Sequence, residues 1–167
     1  MSRLVQADVG AERTPSGAQV WLRPMDASDE LLIFGWQWEP GARTHSRNTN
    51  SPSREEHAAW MAEKLADPSC HPMVIMVDGR PRGVLRLDRR GDEGFEVSIL
   101  ITESARGKGI GSAALRAANG LAPHLRLLAE IFPKNTASLR AFAKAGFEPT
   151  GGTWYARETI DRLPAGN

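Results

Sequence analysis

The segment Arg106-Gly107-Lys108-Gly109-Ile110-Gly111-Ser112 carries the clearest chemistry in this chain. Glycines let main-chain N–H groups approach an anion with no Cβ in the way, and a following helix adds partial positive charge at its N-terminus. Arg106 and Lys108 add formal charge at the rim. Such a segment is built to hold a phosphate, and its pattern must say which kind. A nucleotide-hydrolase loop requires Gly-Lys-Ser/Thr, whereas Gly109 follows Lys108 here. Gly109 to Ala114 fits the dinucleotide fingerprint G-x-G-x-x-A, and Glu130 lies about 20 residues further on. The context is wrong for it, because hairpin-like strands come first and too little chain follows to complete an alternating sheet. A third pattern, Arg/Gln-x-x-Gly-x-Gly/Ala between a strand and a helix, is met by Arg106, Gly109 and Gly111.

The elements around this loop follow from hydrophobic period and capping signals. Val20 to Pro24 reads as a first strand, and Asp26 caps a helix carrying Leu31, Leu32, Phe34, Trp36 and Trp38. A polar loop runs from Glu39 to Pro52. Ser53-Arg54-Glu55-Glu56 is a capping box opening a helix with His57, Trp60, Met61 and Leu65 on one face, and Asp67-Pro68 ends it. Met73 to Val77 and Gly83 to Asp88 form a hairpin about Asp78-Gly79, and Phe95 to Ile101 is the next strand. The glycine loop then opens a helix from about Ile110 to Leu121. Leu125 to Ile131 is a buried strand, Asn135 to Ala145 a helix closed by Gly146, and Phe147 to Arg157 a final strand pair through Gly151-Gly152. The order β-α-α-β-β-β-α-β-α-β-β implies an α+β fold, a mixed and mostly antiparallel sheet with helices on both faces.

Composition narrows the function classes. The 167 residues suit one domain, read as 19–167 behind a loose tail of 1–18. Lys and Arg number 21 against 20 Asp and Glu, so no global field points to nucleic acid or a membrane. Cys70 stands alone and allows no internal disulfide, which makes a reducing cytoplasm the easier compartment. No apolar run is long enough to span a bilayer, and residues 1–19 lack the apolar stretch of a secretory signal. His45, His57, His71, His124 and Cys70 show no metal-ligand spacing, so no metal is expected. The expected assembly is a monomer or homodimer.

The third loop pattern resembles the acetyl-CoA loop of the GNAT acyltransferase superfamily, and the element order is similar to its fold. A second motif strengthens the resemblance: Asn135, Ser138, Phe142, Lys144, Gly146 and Phe147 match N-x-x-(A/S)-x-x-x-Y/F-x-K-x-G-F. Singly these are an N-cap, a core aromatic and a helix end; the two motifs together cover roughly Phe95 to Phe147 at the superfamily's spacing. The resemblance implies acetyl-CoA as co-substrate and direct attack by a primary amine in a ternary complex. It places the pyrophosphate on Arg106, Gly107, Lys108, Gly109, Ile110, Gly111 and Ser112. It also implies a strand splayed from its neighbour, with Ile99 and Ile101 facing the pantetheine arm, and Asn135, Ser138 and Phe142 beside it. A main-chain donor on that strand would polarise the thioester carbonyl, an effect of roughly 3 kcal/mol in the transition state.

An ammonium must lose a proton before it attacks. Glu96 stands where the superfamily often carries a carboxylate that works through water, and Glu130 is the second candidate base; the alternative for either is an ion pair with an Arg such as Arg86. Many members protonate the departing thiolate with a Tyr where this chain has Phe142, which leaves Ser138, solvent or an unassisted thiolate.

The acceptor is read from the first two helices. Glu55-Glu56-His57-Ala58-Ala59-Trp60 is similar to a bacterial branch that acetylates amino groups on nucleotide-linked sugars, although Gln37-Trp38 departs from that branch's Arg-Asn. Arg43, His45, Arg47 and Arg54 are candidates for a diphosphate, and Trp36, Trp38 or Trp60 for stacking. Trp36, Arg43 and His57 are therefore the expected substrate-binding residues. The alternatives are acetylation of a protein α-amino group and a non-catalytic acetyl-CoA-binding module.

Overall fold

The computed structural model describes residues 11–159. It contains eight strands, β1 (Glu12–Arg13), β2 (Gln19–Pro24), β3 (Cys70–Val77), β4 (Arg80–Arg89), β5 (Phe95–Ile101), β6 (Leu127–Glu130), β7 (Glu148–Gly151) and β8 (Trp154–Arg157). Four α-helices accompany them, α1 (Glu30–Gln37), α2 (Arg54–Ala66), α3 (Ile110–Leu121) and α4 (Thr136–Lys144). The strands form one sheet in the order β1-β2-β3-β4-β5-β6-β8-β7. Every pairing is antiparallel except β5 with β6.

The expected element order is present with one addition at the N-terminus. Residues 11–18, read from the sequence as loose tail, form a hairpin in which Glu12 and Arg13 pair with Val20 and Gln19. Thr14 is buried there and accepts from the Ala18 N–H at 3.0 Å, so a short polar stretch is held by its own turn rather than by apolar weight. Residues 1–10 and 160–167, the remainder of the expected tail and the end of the expected domain, lie outside the described residues.

Alternation along the strands splits the apolar side chains between two cores. Ile75, Leu85, Leu87 and Val97 pack with Ala113, Ala114, Leu115 and Phe142 of α3 and α4. On the other face, Val74 packs with Ile33 and Trp36 of α1 and Met61 of α2. The α2 capping box forms as expected, with Ser53 Oγ accepting from the Glu56 N–H and Glu56 accepting from the Ser53 N–H. Asp26 does cap, but the turn it opens is 3₁₀ (Ala27–Asp29), and α1 begins after it. At the end of α4 the Phe147 N–H reaches Phe142 O and the Gly146 N–H reaches Ala143 O, the hydrogen-bond pair of a Schellman closure.

The junction of β5 and β6 shapes the molecule most. Gly94 brings the start of β5 so close to the chain before β6 that a Cβ there would lie 2.2 Å from Arg126 O. Phe95 donates its N–H to that same oxygen at 3.0 Å. Pairing then covers only Phe95↔Leu127 and Glu96↔Leu128, although β5 continues to Ile101. The two strands are pinned at one end and part beyond Glu96.

Candidate active site

The parting of β5 and β6 sets which main-chain groups are available. The Phe95 N–H points toward β6 and the Thr102 N–H points back toward Arg82 on the β4 side. Strand alternation therefore aims the Ile99 and Ile101 N–H groups at β6, beyond the last β6 pairing. They face the gap. A cleft of about 630 Å³ opens there, lined by Ile99, Ile101, the glycine loop, Asn135, Ser138 and Phe142, and closed across the top by Gly41 to Ser46 of the α1–α2 loop.

At the outer end of the cleft, α3 starts from Gly109, whose φ of 77° is the left-handed conformation that glycine adopts without strain. No side chain caps this helix. Among the described residues, the N–H groups of Gly107 through Ser112 have no hydrogen-bond acceptor. Gly107 and Lys108 are exposed, but Gly109 to Ser112 are buried or half-buried, where donors need a partner, and consecutive N–H groups at a helix start suit a phosphate. These residues fit the pyrophosphate of acetyl-CoA through main-chain donors.

The charged side chains of the loop behave differently from the expectation. Arg106 donates to Ile101 O at 3.1 Å and to Pro40 O at 2.7 Å, so it fastens the α1–α2 loop to the end of β5. Lys108 turns away from the cleft, donating to Ser104 O at 2.7 Å and lining a separate pocket with Arg80 and Arg82. Gly109 also has a different neighbour from the one its motif suggested. An added Cβ would meet Pro15 Cδ at 2.8 Å, on the N-terminal hairpin rather than in the diphosphate's place.

Asn135 caps α4, its Oδ1 accepting from the Ser138 N–H at 3.2 Å. The Ser138 hydroxyl has no hydrogen-bond partner among the described residues and lines the cleft. Phe142 is buried and meets Phe147 edge-on, with centroids 4.9 Å apart. Its ring forms one wall of the cleft.

The two carboxylates named as candidate bases come together where β5 and β6 part. Glu96 and Glu130 share the α1–α2 face of the sheet, and a single guanidinium joins them. Arg47 Nη2 lies 2.5 Å from Glu96 and 2.6 Å from Glu130. Arg90 adds a contact of 3.4 Å to Glu96, and Thr153 donates to Glu130 at 3.2 Å. Burial lowers the Arg47 pKa, but its hydrogen bond to Glu130 and the charge of Glu96 outweigh this and raise it above the ordinary value. Arg47 and Arg90 both stand over the Trp154 ring, at 5.9 and 5.0 Å from its centroid. The expected ion-pair partner, Arg86, is elsewhere, bonded to Asp88 at 2.5 Å and stacked over Trp60.

The three expected substrate-binding residues do not reach this site. Trp36 is buried in the core between α1, α2 and the sheet. His57 is 2% exposed, wedged between Phe34 and Trp60, with Nδ1 3.1 Å from Glu30. Arg43 donates to Gln37 Oε1 at 2.7 Å and twice to Asn48 O, stapling its own loop. Arg90, Thr153 and Trp154 were not singled out from the sequence. Trp154 stands in register opposite Glu130, a pairing that only the sheet topology reveals.

Comparison with known proteins agrees with this geometry. Residues 19–148 match the family described as acetyltransferase (GNAT) domain. A 59-residue stretch is 49% identical to YwnH of Bacillus subtilis (strain 168), which carries a provisional phosphinothricin acetyltransferase name. That match spans 34% of this chain and 36% of the relative's length. Among solved structures, aminoglycoside acetyltransferase AAC(6')-Ib with coenzyme A and kanamycin superposes with a TM-score of 0.73 at 20% identity, over 83% of this chain and 94% of that one. RimL, a ribosomal L7/L12 α-N-protein acetyltransferase in complex with coenzyme A, superposes at 0.75 and 16% identity, over 90% and 97%. With the family matched over most of its length, and with a splayed sheet and an open amide cradle suited to acetyl-CoA, this chain belongs to the acetyltransferase (GNAT) domain family.

Proposed function

We propose that this protein transfers an acetyl group from acetyl-CoA to the primary amine of a small molecule, with Glu96 and Glu130 receiving the amine. One observation carries the reading. The unpartnered N–H groups of Gly107 to Ser112 and the opened strand edge at Ile99 and Ile101 share one cleft, and the paired carboxylates stand where β5 and β6 last pair, at the head of the gap between the strands. Acetyl-CoA supplies the acetyl group as a thioester, whose C–S bond breaks as the N–C bond forms, its electron pair leaving with the sulfur.

Each of the chain's groups has a task in this scheme. The glycine-loop amides hold the pyrophosphate, and the Ile99 N–H polarises the carbonyl. Glu96, 8% exposed and fixed in the sheet, takes the ammonium proton directly or through water, and Glu130 holds the charge of the approaching amine. The Ser138 hydroxyl, on the opposite wall, is placed to donate toward the departing sulfur. Because both carboxylates are held by Arg47, an ammonium must displace this guanidinium before it can be deprotonated.

The finer acceptor suggested by the α2 motif, an amino group on a nucleotide-linked sugar, requires cations for a diphosphate. Arg43 and Arg54 are engaged with Gln37, Asn48 and Glu30, which favours a compact amine over a nucleotide-linked one. The discriminating experiment follows thiol release from acetyl-CoA with panels of aminoglycosides, polyamines, amino acids, amino-sugar nucleotides and N-terminal peptides. Release with a compact amine is the expected result. Release only with sugar nucleotides or peptides would select those acceptors, and acetyl-CoA binding with no release would select the non-catalytic module.

A further inference from the structure

The point where β5 and β6 part holds more than a pair of acids. Glu96 and Glu130 carry two negative charges, and Arg47 and Arg90 carry two positive ones against them. The acids are the fixed floor, with side chains 10% and 20% exposed. The guanidiniums are the accessible rim, 55% exposed for Arg47 and 44% for Arg90, and both lie over Trp154. An amine without any other charge enters this group as a third cation. It gains the carboxylates only by turning Arg47 out, and it leaves two guanidiniums crowded beside it. An amine that carries its own carboxylate keeps the balance. Its ammonium takes the place of Arg47 on the acids, and its carboxylate takes the guanidiniums so released, in the planar two-point geometry that Arg offers.

Resting on the acetyl-transfer reading above, we propose that the acceptor is a zwitterion, a small amine with a carboxylate on the same scaffold, of the α-amino acid class. Arg47 and Arg90 select it by holding that carboxylate over the Trp154 ring. The reaction itself is unchanged. The ammonium loses one proton to Glu96, its nitrogen forms the new bond to the acetyl carbon, and the thioester C–S bond breaks. The second nitrogen proton balances the thiolate. Arg47 thereby acts twice, closing the acids in the free enzyme and reading the acceptor in the complex.

The test compares common L-amino acids with their carboxamides and with the corresponding decarboxylated amines, by thiol release across pH so that differences in amine pKa are removed. The free acids are expected to exceed both derivatives at least tenfold in kcat/KM for the best side chain. Arg90→Gln should erase this preference by raising KM for the acids, and Arg90→Lys should restore part of it. Derivatives that match or outdo the acids would overturn the zwitterion assignment while leaving acetyl transfer standing, and so would an Arg90→Gln variant that loses equally on all three series. No release with any amine, despite acetyl-CoA binding by calorimetry, would overturn both.

Discussion

At the scale of single residues the site turns on which groups are free to move a proton. With Glu96 as the proposed base, Glu96→Gln should lower kcat/KM by about 100-fold or more at neutral pH. The deficit should shrink as pH rises through the amine's own pKa, because the free amine needs no base. A pH–rate profile parallel to the wild type would remove Glu96 from the role. Cys70 is the counterexample, a nucleophilic residue type that the fold disables. Burial first, then the neighbouring Asp88 charge, push its thiol from 9.0 up to about 12. The thiol should therefore resist alkylation near neutral pH until the protein unfolds. The sign for stability follows: the unfolded chain ionises first, so stability is full below about pH 9 and declines as pH rises toward 12. Cys70→Ala should flatten that alkaline decline in denaturant titrations. The sequence exposed Glu96 and Glu130 as candidates because strand and motif place them. It hid Arg47 as their partner, since 49 residues of chain separate Arg47 from Glu96 and only the closed α1–α2 loop brings them together.

Elements were the most legible level wherever a local signal decides the backbone. The Asp78-Gly79 turn has φ of 47° and 79°, as a two-residue hairpin requires, and the α2 and α4 caps form where Ser53 and Asn135 announced them. His57 and Trp36 are buried in the structure; helical spacing shows which residues share a face but not whether that face meets substrate or core. The glycine loop offers a sharper test of what each position does. Gly107 has φ of 72° with open space around it, so Gly107→Ala should cost only the strain of a left-handed alanine, about 1 kcal/mol. Gly109 has both the left-handed φ and the Pro15 contact, so Gly109→Ala should cost about 2–4 kcal/mol and weaken acetyl-CoA binding as well. Thermal denaturation and calorimetry measure the two effects. Equal losses at both positions would mean that the hairpin does not buttress the loop.

Across the whole molecule, the N-terminal hairpin, the glycine loop and α3 form one mechanical unit that local sequence signals barely reveal. The segment around Thr14, Ser16 and Gly17 looks like tail because it carries no apolar run, and what fixes it is hydrogen bonding to a distant helix rather than its own apolarity. Arg116 of α3 reaches Glu12 at 3.1 Å and Arg13 O at 3.0 Å, which holds Pro15 against Gly109. Removing residues 1–18 should therefore act at a distance, on the cradle as well as on the sheet edge. Losing these hydrogen bonds and the β1 pairing, at about 1 kcal/mol each, should cost about 2–3 kcal/mol. For a chain of this size that is a fall in Tm of roughly 4–12 °C. The decisive measurement is a double-mutant cycle with Gly109→Ala. In the full chain that substitution carries strain and collision together; once the hairpin is gone only the strain remains. Its cost in the shortened protein should then fall to that of Gly107→Ala in the full one. A cost that stays undiminished would show that Pro15 does not restrain the loop, and that Gly109 is required by its backbone conformation alone.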